Sequence, residues 1–198
     1  MGSFSLHPFK TLNACGDAGI ILTDDEALME AMSALRQNGL SKTGVCHHWS
    51  NNSRLDTMQA AVLNVKFNYF EAWTEKRIQI AHAYDESLNT ISEIELPKLP
   101  DKDSHCVFHT YIIHAQKRDE LQQYLKDKGI ETRIHYQVPI HKQPVAERTL
   151  GYGEGSFPKM DYISRHALSL PIYPELDAYE LDYIVQAIKS FYLNKKGV

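Results

Sequence analysis

Hydrophobic positions along the chain recur with two spacings, and each spacing predicts an element. Gly19 to Thr23 is a short apolar run that predicts a buried strand. Thr23-Asp-Asp-Glu26 follows in the order of a capping box, with the threonine accepting from the N3 amide and Glu26 reaching back. The helix so opened places Leu28, Ala31, Met32 and Leu35 on one face and ends before Gly39, a residue suited to the position just past a helix end. Residues 39–51 lack periodicity and predict a loop. Asn52 or Ser53 can cap the next helix, whose apolar face is Leu55, Met58, Ala61, Val62, Val65 and Tyr69, continued by Trp73, Ile80, Tyr84 and Leu88. A pattern from Asp56 to Leu88 is longer than most globular helices, which predicts a kink or break near Asn68.

Pro97 to Ser104 is a linker by composition. Cys106 to Ala115 then alternates as a strand, and Arg118 to Lys128 reads as a helix with Leu121, Tyr124 and Leu125 inward, stopped by Gly129. Ile130 to Tyr136 alternates again as a strand, and this strand–helix–strand unit predicts the core of a small α+β domain. Pro158–Leu168 and Asp177–Leu193 read as helices. The second is the clearest amphipath, with Leu181, Ile184, Val185, Ile188 and Phe191 on one side. No internal repeat or low-complexity tract interrupts the series.

Composition narrows the class. A chain of 198 residues with 43% hydrophobic and 23% charged content is that of an ordinary globular protein, enough for one sizeable domain or one domain and part of another. The net charge of −4 gives no reason to expect nucleic acid or an anionic membrane as partner. No apolar run approaches membrane-spanning length, and the first residues lack the features of a signal peptide. Cys15, Cys46 and Cys106 are odd in number and far apart, which argues against a disulfide framework and makes the cytoplasm the default location.

Candidate chemistry is concentrated in a few segments. Lys10 lies between a His-Pro step and a Gly-Asp-Ala-Gly turn, so Pro8, Gly16 and Gly19 place it on a constrained loop. A lysine becomes a nucleophile when its surroundings favour the neutral amine, yet most lysines are solvated surface residues. Cys46-His47-His48 contains good metal-ligand types, but adjacent residues rarely turn onto one ion and no second Cys/His pair follows, so no metal site is assigned. Asn52 and Arg54 admit a reading as helix capping and surface charge. They also admit one as anion binding at a helix start. His135, Tyr136 and His141 fall at the end of a strand and in a proline-containing loop, with Arg133 on the His135 side of that strand.

Three segments together carry a resemblance. Ser5-Leu-His-Pro-Phe-Lys10 with Gly16-Asp-Ala-Gly19 and Thr23-Asp-Asp-Glu26 is the first. Asn52-Ser-Arg-Leu-Asp-Thr-Met-Gln59-Ala-Ala-Val is the second, and His135-Tyr-Gln-Val-Pro-Ile-His141-Lys-Gln-Pro144 the third. In this order and spacing they resemble the cofactor-lysine segment, the Asn-x-Arg-Leu-Asp-x-x-Gln-Ala-Ala motif and the His-Tyr-x-x-Pro-x-His segment of the DegT/DnrJ/EryC1/StrS family of sugar aminotransferases.

The resemblance implies an α/β fold, the C-terminal part of a pyridoxal-phosphate-dependent transferase of the aspartate aminotransferase type with a small α+β C-terminal domain. Chains of this family are roughly twice as long, so residues 1–62 would be the remnant of the large cofactor-binding domain and residues 63–198 a connecting helix and the small domain. By the same resemblance Lys10 would hold pyridoxal 5'-phosphate, Ser5 would bind its phosphate, and Asn52 would reach the phosphate of the neighbouring subunit in a homodimer. Arg54, His135, Tyr136 and His141 would face the substrate, a nucleotide-linked keto-sugar that receives an amino group, usually from glutamate. The products of such enzymes feed polysaccharide or antibiotic-sugar synthesis. A lysine at position 10, where a dehydrating branch carries histidine, implies the transaminase branch. Two alternatives accompany this expectation: a non-catalytic remnant, and a partner chain that needs a separate N-terminal half.

Overall fold

A computed structural model of the protein describes residues 1–98 and 105–193. Most of the expected linker, Leu99 to Ser104, lies outside the described residues. The chain divides into two compact units, Met1–Ala72 and Trp73–Val198.

The first unit opens with a hairpin. Strand β1 (Gly2–Ser5) pairs antiparallel with β2 (Gly19–Leu22), Ser5 opposite Gly19. The strand expected from the apolar run is therefore present but not buried: Ile20, Ile21 and Leu22 are each about half exposed. Helix α1 (Glu26–Leu35) follows with no buried residue. Its cap differs from the expected box. Asp25 is the N-cap and accepts from the Leu28 amide at 3.0 Å, while Thr23 accepts one residue short of the expected amide, from Asp25 at 3.2 Å. Asp25 supplies a carboxylate at the helix N-terminus, where the dipole favours it. Gly39 lies past the C-cap Arg36, and its N–H donates to the Ala34 carbonyl at 2.9 Å.

Helix α2 (Thr57–Phe67) starts after Asp56, so neither Asn52 nor Ser53 caps it. It ends at the C-cap Asn68, and α3 (Phe70–Leu88) begins just beyond, which is the expected break. The expected apolar face of α2 is turned outward: Met58 and Val65 are 81% and 62% exposed, and Leu63 is its buried residue. Leu63 joins Leu6 and Ala14 in a small core, with Leu12, Ala18 and Leu55 against it.

The second unit holds the larger core. On α3, Ile80, Ala81, Tyr84 and Leu88 are buried, in register with the sequence pattern. Its sheet is three-stranded and antiparallel, in the order β3 (Ile94–Glu95), β4 (Tyr111–Ala115), β5 (Ala167–Leu170). Tyr111, Ile113 and Ala115 alternate inward from β4. The expected strand at 106–115 is thus confined to its second half. Helix α4 (Arg118–Asp127) buries Leu121 and Leu125 and packs Tyr124 near Phe191.

Two expectations fail together here. Ile130 to Tyr136 does not form a strand; a single bridge joins Arg133 to Ser169, and a turn follows. The partner of β4 on that side is instead β5, which the sequence reading placed inside the helix at 158–168. That helix, α6 (Pro158–His166), stops when Ala167 takes extended backbone and the next residues pair with β4. A fully buried Ala-Leu-Ser-Leu run suits either state, and ladder pairing decides it. Before α6, a 3-10 turn (Ile140–Lys142) leads into α5 (Pro144–Leu150). Helix α7 (Ala178–Leu193) packs along α4 with Ile184, Val185, Ile188 and Phe191 buried in the same core, as its amphipathic pattern predicts. Asp177 and Glu180 cap it reciprocally, each carboxylate accepting the other's main-chain N–H at 2.8 and 3.2 Å.

Candidate active site

The turn that presents Lys10 is built from main-chain bonds. Leu6 donates to the Ala18 carbonyl and Ala14 to the Leu6 carbonyl, each at 2.9 Å, which closes the segment between the hairpin strands at its base. Within it the Lys10 N–H donates to the His7 carbonyl at 2.8 Å. Pro8 therefore falls at the second position of a four-residue turn, where its fixed φ is favoured. Ser5 Oγ accepts the His7 N–H at 3.4 Å and His7 Nδ1 accepts the Phe9 N–H at 3.2 Å. Lys10 is half-buried, and its ammonium makes no hydrogen bond or ion pair among the described residues.

Helix α2 meets the far side of this turn with polar side chains. Gln59 Oε1 accepts the Cys15 N–H at 2.8 Å, and a Cβ at Gly16 would come within 2.8 Å of Gln59 Nε2. A side chain at 16 would displace the amide end of Gln59, the group that meets the loop here. Lys66 donates to the Asn13 carbonyl at 3.0 Å and to the Asn13 side-chain oxygen as well. Asn13 in turn donates from Nδ2 to the Lys10 carbonyl at 3.0 Å.

Asn52 and Arg54 lie together on the segment before α2, both exposed. Asn52 bridges to Gln37 through the main chain, and Ser53 donates to the Arg36 carbonyl at 2.9 Å, so the end of α1 braces the segment. Asn52 Oδ1 accepts Arg54 Nε at 2.9 Å. That bond leaves the Asn52 amide hydrogens and the terminal Arg54 nitrogens as donors, a set suited to an anion. Cys46 Sγ donates to the Asn38 and His48 carbonyls, and among the described residues no group of three metal-ligating side chains could hold an ion.

In the second unit, His135 Nδ1 and the Ser169 hydroxyl lie 2.8 Å apart, and the Tyr136 ring stands edge-on to His135 with 75% of the residue exposed. His141 is differently placed. It is buried, and its Nε2 lies 3.0 Å from Asp161 Oδ1; an ionised carboxylate only accepts, so the imidazole donates. Asp161 Oδ1 also takes Lys142 Nζ at 2.8 Å and Oδ2 takes the Gly155 N–H at 3.0 Å, while Lys142 pairs with Glu154. The Lys142 hydrogen bond above all, with those from His141 and Gly155, outweighs desolvation and holds the Asp161 carboxyl down at about 2. The same carboxylates push the Lys142 ammonium up from its ordinary value.

Sequence reasoning named Lys10, Ser5, Asn52 and Arg54 as candidates and placed His135, Tyr136 and His141 in one segment. It missed Asn13, Lys66, Asp161 and Ser169, and gave Gln59 no role. For Lys66 a signal existed: a lysine two helical turns after a glutamine, next to apolar positions. For Asp161 none did.

Residues 1–189 match the DegT/DnrJ/EryC1/StrS aminotransferase family. Among curated relatives, a pleiotropic regulatory protein of Geobacillus stearothermophilus is 44% identical over 96% of this chain and 51% of its own. The dTDP-3-amino-3,4,6-trideoxy-alpha-D-glucose transaminase of Streptomyces venezuelae is 35% identical over 96% of this chain and 50% of its own. Among solved structures, DesV of S. venezuelae superposes with a TM-score of 0.90 at 34% identity, covering 96% of this chain and 51% of that one. A structure of NtdA from Bacillus subtilis with bound cofactor PMP superposes at 0.85 with 25% identity, covering 96% and 45%. The chain spans about half the length of the relatives it matches.

Proposed function

We propose that this chain, which belongs to the DegT/DnrJ/EryC1/StrS aminotransferase family, carries the cofactor lysine and part of the substrate contacts of a pyridoxal 5'-phosphate-dependent sugar aminotransferase. The observation that carries the reading is Lys10: a half-buried lysine on a turn pinned at its base, with its ammonium unpartnered among the described residues. A lysine kept for covalent attachment needs a fixed backbone and an amine that no carboxylate holds.

The donor set fits the cofactor. The Ser5 oxygen accepts the His7 amide, which leaves its hydroxyl hydrogen for a phosphate oxygen, and Asn52 keeps its amide hydrogens for the same group on the neighbouring subunit of a homodimer. When bound, pyridoxal phosphate supplies an electron sink beside the reacting carbon. The work of this chain is to hold it and to move a proton. The Lys10 amine, once free, takes the proton from the α-carbon of the amino donor, glutamate in this reading. Arg54 offers its terminal nitrogens to the diphosphate of a nucleotide-linked keto-sugar. His135 and Tyr136 contact the substrate, and His141 acts through the loop that it ties to Asp161. The relatives' names support the substrate class, and they span dTDP- and UDP-linked sugars. The enzyme so read is cytoplasmic and serves polysaccharide or aminosugar synthesis.

A second reading is a partner chain that needs a separate N-terminal half, or a remnant without activity. A single experiment separates the readings. The chain is incubated with pyridoxal phosphate, reduced with borohydride and mapped by peptide mass. Stoichiometric modification confined to Lys10 is the expected result. Labelling scattered over many lysines, or none, overturns cofactor binding by this chain and leaves the second reading.

A further inference from the structure

We infer that α2 is a two-point clamp on the Lys10 turn, with Lys66 and Gln59 as positioning residues for the Lys10 amine. The inference rests on the reading of Lys10 as the cofactor lysine.

Gln59 and Lys66 are two helical turns apart and so share a face of α2. Between them Leu63 is buried against Leu6 and Ala14, the residues at the base of the turn. An amphipathic helix turns its apolar residues inward; here Met58 and Val65 face solvent, and the glutamine and lysine face the turn. The polar residues are therefore placed by what they hold. Gln59 fixes the main chain at Cys15. Lys66 fixes Asn13 at two oxygens, and Asn13 passes the restraint to the Lys10 carbonyl at 3.0 Å. Lys66 also sits in the last turn of α2, where the helix dipole favours a cation.

The chemistry makes this restraint matter. Nothing among the described residues holds the Lys10 ammonium itself. The reach of a long, flexible side chain is then set by where its backbone stands, and reacting groups need placement to within about 0.5 Å. Charge-assisted bonds such as those of Lys66 are the strong kind, so removing them frees the turn rather than merely trimming it.

The test compares the wild-type chain with Lys66→Met and Lys66→Arg, the latter keeping a forked cation for the two Asn13 oxygens. Amide hydrogen exchange over residues 10–16 reads the turn without any cofactor, and borohydride trapping with pyridoxal phosphate reads the amine. In Lys66→Met, exchange over 10–16 rises and the Lys10 share of the label falls roughly tenfold, the scale of one charge-assisted hydrogen bond. Lys66→Arg restores both. Should Lys66→Met fail to fold by circular dichroism, Asn13→Ala, which leaves α2 intact, shows the same fall. Wild-type labelling of Lys10 in either disrupted variant overturns the clamp alone. So does a loss that Lys66→Arg fails to restore. A wild-type chain with no Lys10 label overturns the cofactor reading, and the clamp with it.

Discussion

The His141 imidazole donates to the Asp161 carboxylate across 3.0 Å with 7% and 4% of the two side chains exposed. Around that bond Lys142 and the Gly155 amide complete the shell of Asp161, so one buried carboxylate ties the 3-10 turn and the loop at 151–157 to α6. A buried acceptor with three donors is expensive to lose, because each donor is then left without its partner.

The first prediction concerns acid. The Asp161 carboxyl is held at about 2 in the fold, below the roughly 3.9 of an unfolded aspartate. A depressed carboxylate pKa contributes stability above the unfolded value and loses it as pH falls through the folded one. Thermal melts between pH 7 and 2 should show a loss of stability that steepens below pH ~4. Asp161→Asn should lower the melting temperature at neutral pH and flatten that acid leg. An unchanged acid leg in the variant would show that other carboxylates set it.

Alkali acts on buried phenols. Burial first, and for Tyr111 the hydrogen bond to Asp85 as well, pushes the Tyr84, Tyr111 and Tyr192 hydroxyls above their ordinary range. A raised folded pKa contributes stability below the unfolded value, about 10 for tyrosine, and loses it as pH climbs beyond. Phenolate absorbance from these three should therefore appear together with loss of helical circular dichroism. Smooth ionisation of every tyrosine near pH ~10 with the helices intact would contradict this.

Gly39 carries the sharpest backbone constraint in the first unit. Its φ is +75°, and a Cβ there would lie 1.7 Å from the His48 carbonyl oxygen. The clash is with main chain and has no side chain to yield. Gly39→Ala should cost at least about 2 kcal/mol, read as a lower urea midpoint from probes in residues 1–72. An unaltered midpoint would mean that the loop at 39–51 rearranges freely.

For Lys10 the expected effect is on chemistry and not on folding. Its ammonium has no partner among the described residues, so Lys10→Arg should change stability by less than about 0.5 kcal/mol. Trapping of pyridoxal phosphate at this position should vanish. Undiminished total labelling in the variant would assign the cofactor to another lysine.

Local chemistry was legible where neighbours in sequence are neighbours in space. Pro8 predicts a constrained turn at Lys10, and the turn is there, although neither Gly16 nor Gly19 takes a left-handed backbone in it. The over-long apolar pattern predicts a break near Asn68, and α2 ends at that residue. The inward faces of α3 and α7 follow from 3.6-residue periodicity because each lies on one large core.

Elsewhere the fold was decided by partners distant in the chain. Apolar periodicity marks residues that burial would favour, but it does not say what will cover them; on α1 no residue is fully buried, and α2 turns its glutamine and lysine to the Lys10 turn instead. The buried run at 167–170 is strand and not helix because β4 supplies hydrogen bonds along one edge and Arg133 along the other. Asp161 gives no local sign of its role, since its donors come from the 3-10 turn and from Gly155. The sequence by itself determined the turn that presents Lys10, the break between α2 and α3, and the faces that meet the main core. Only the tertiary structure decided which strand completes the sheet and which polar side chains hold the turns, because a hydrogen bond needs a partner at a defined point in space and one-dimensional order does not specify it.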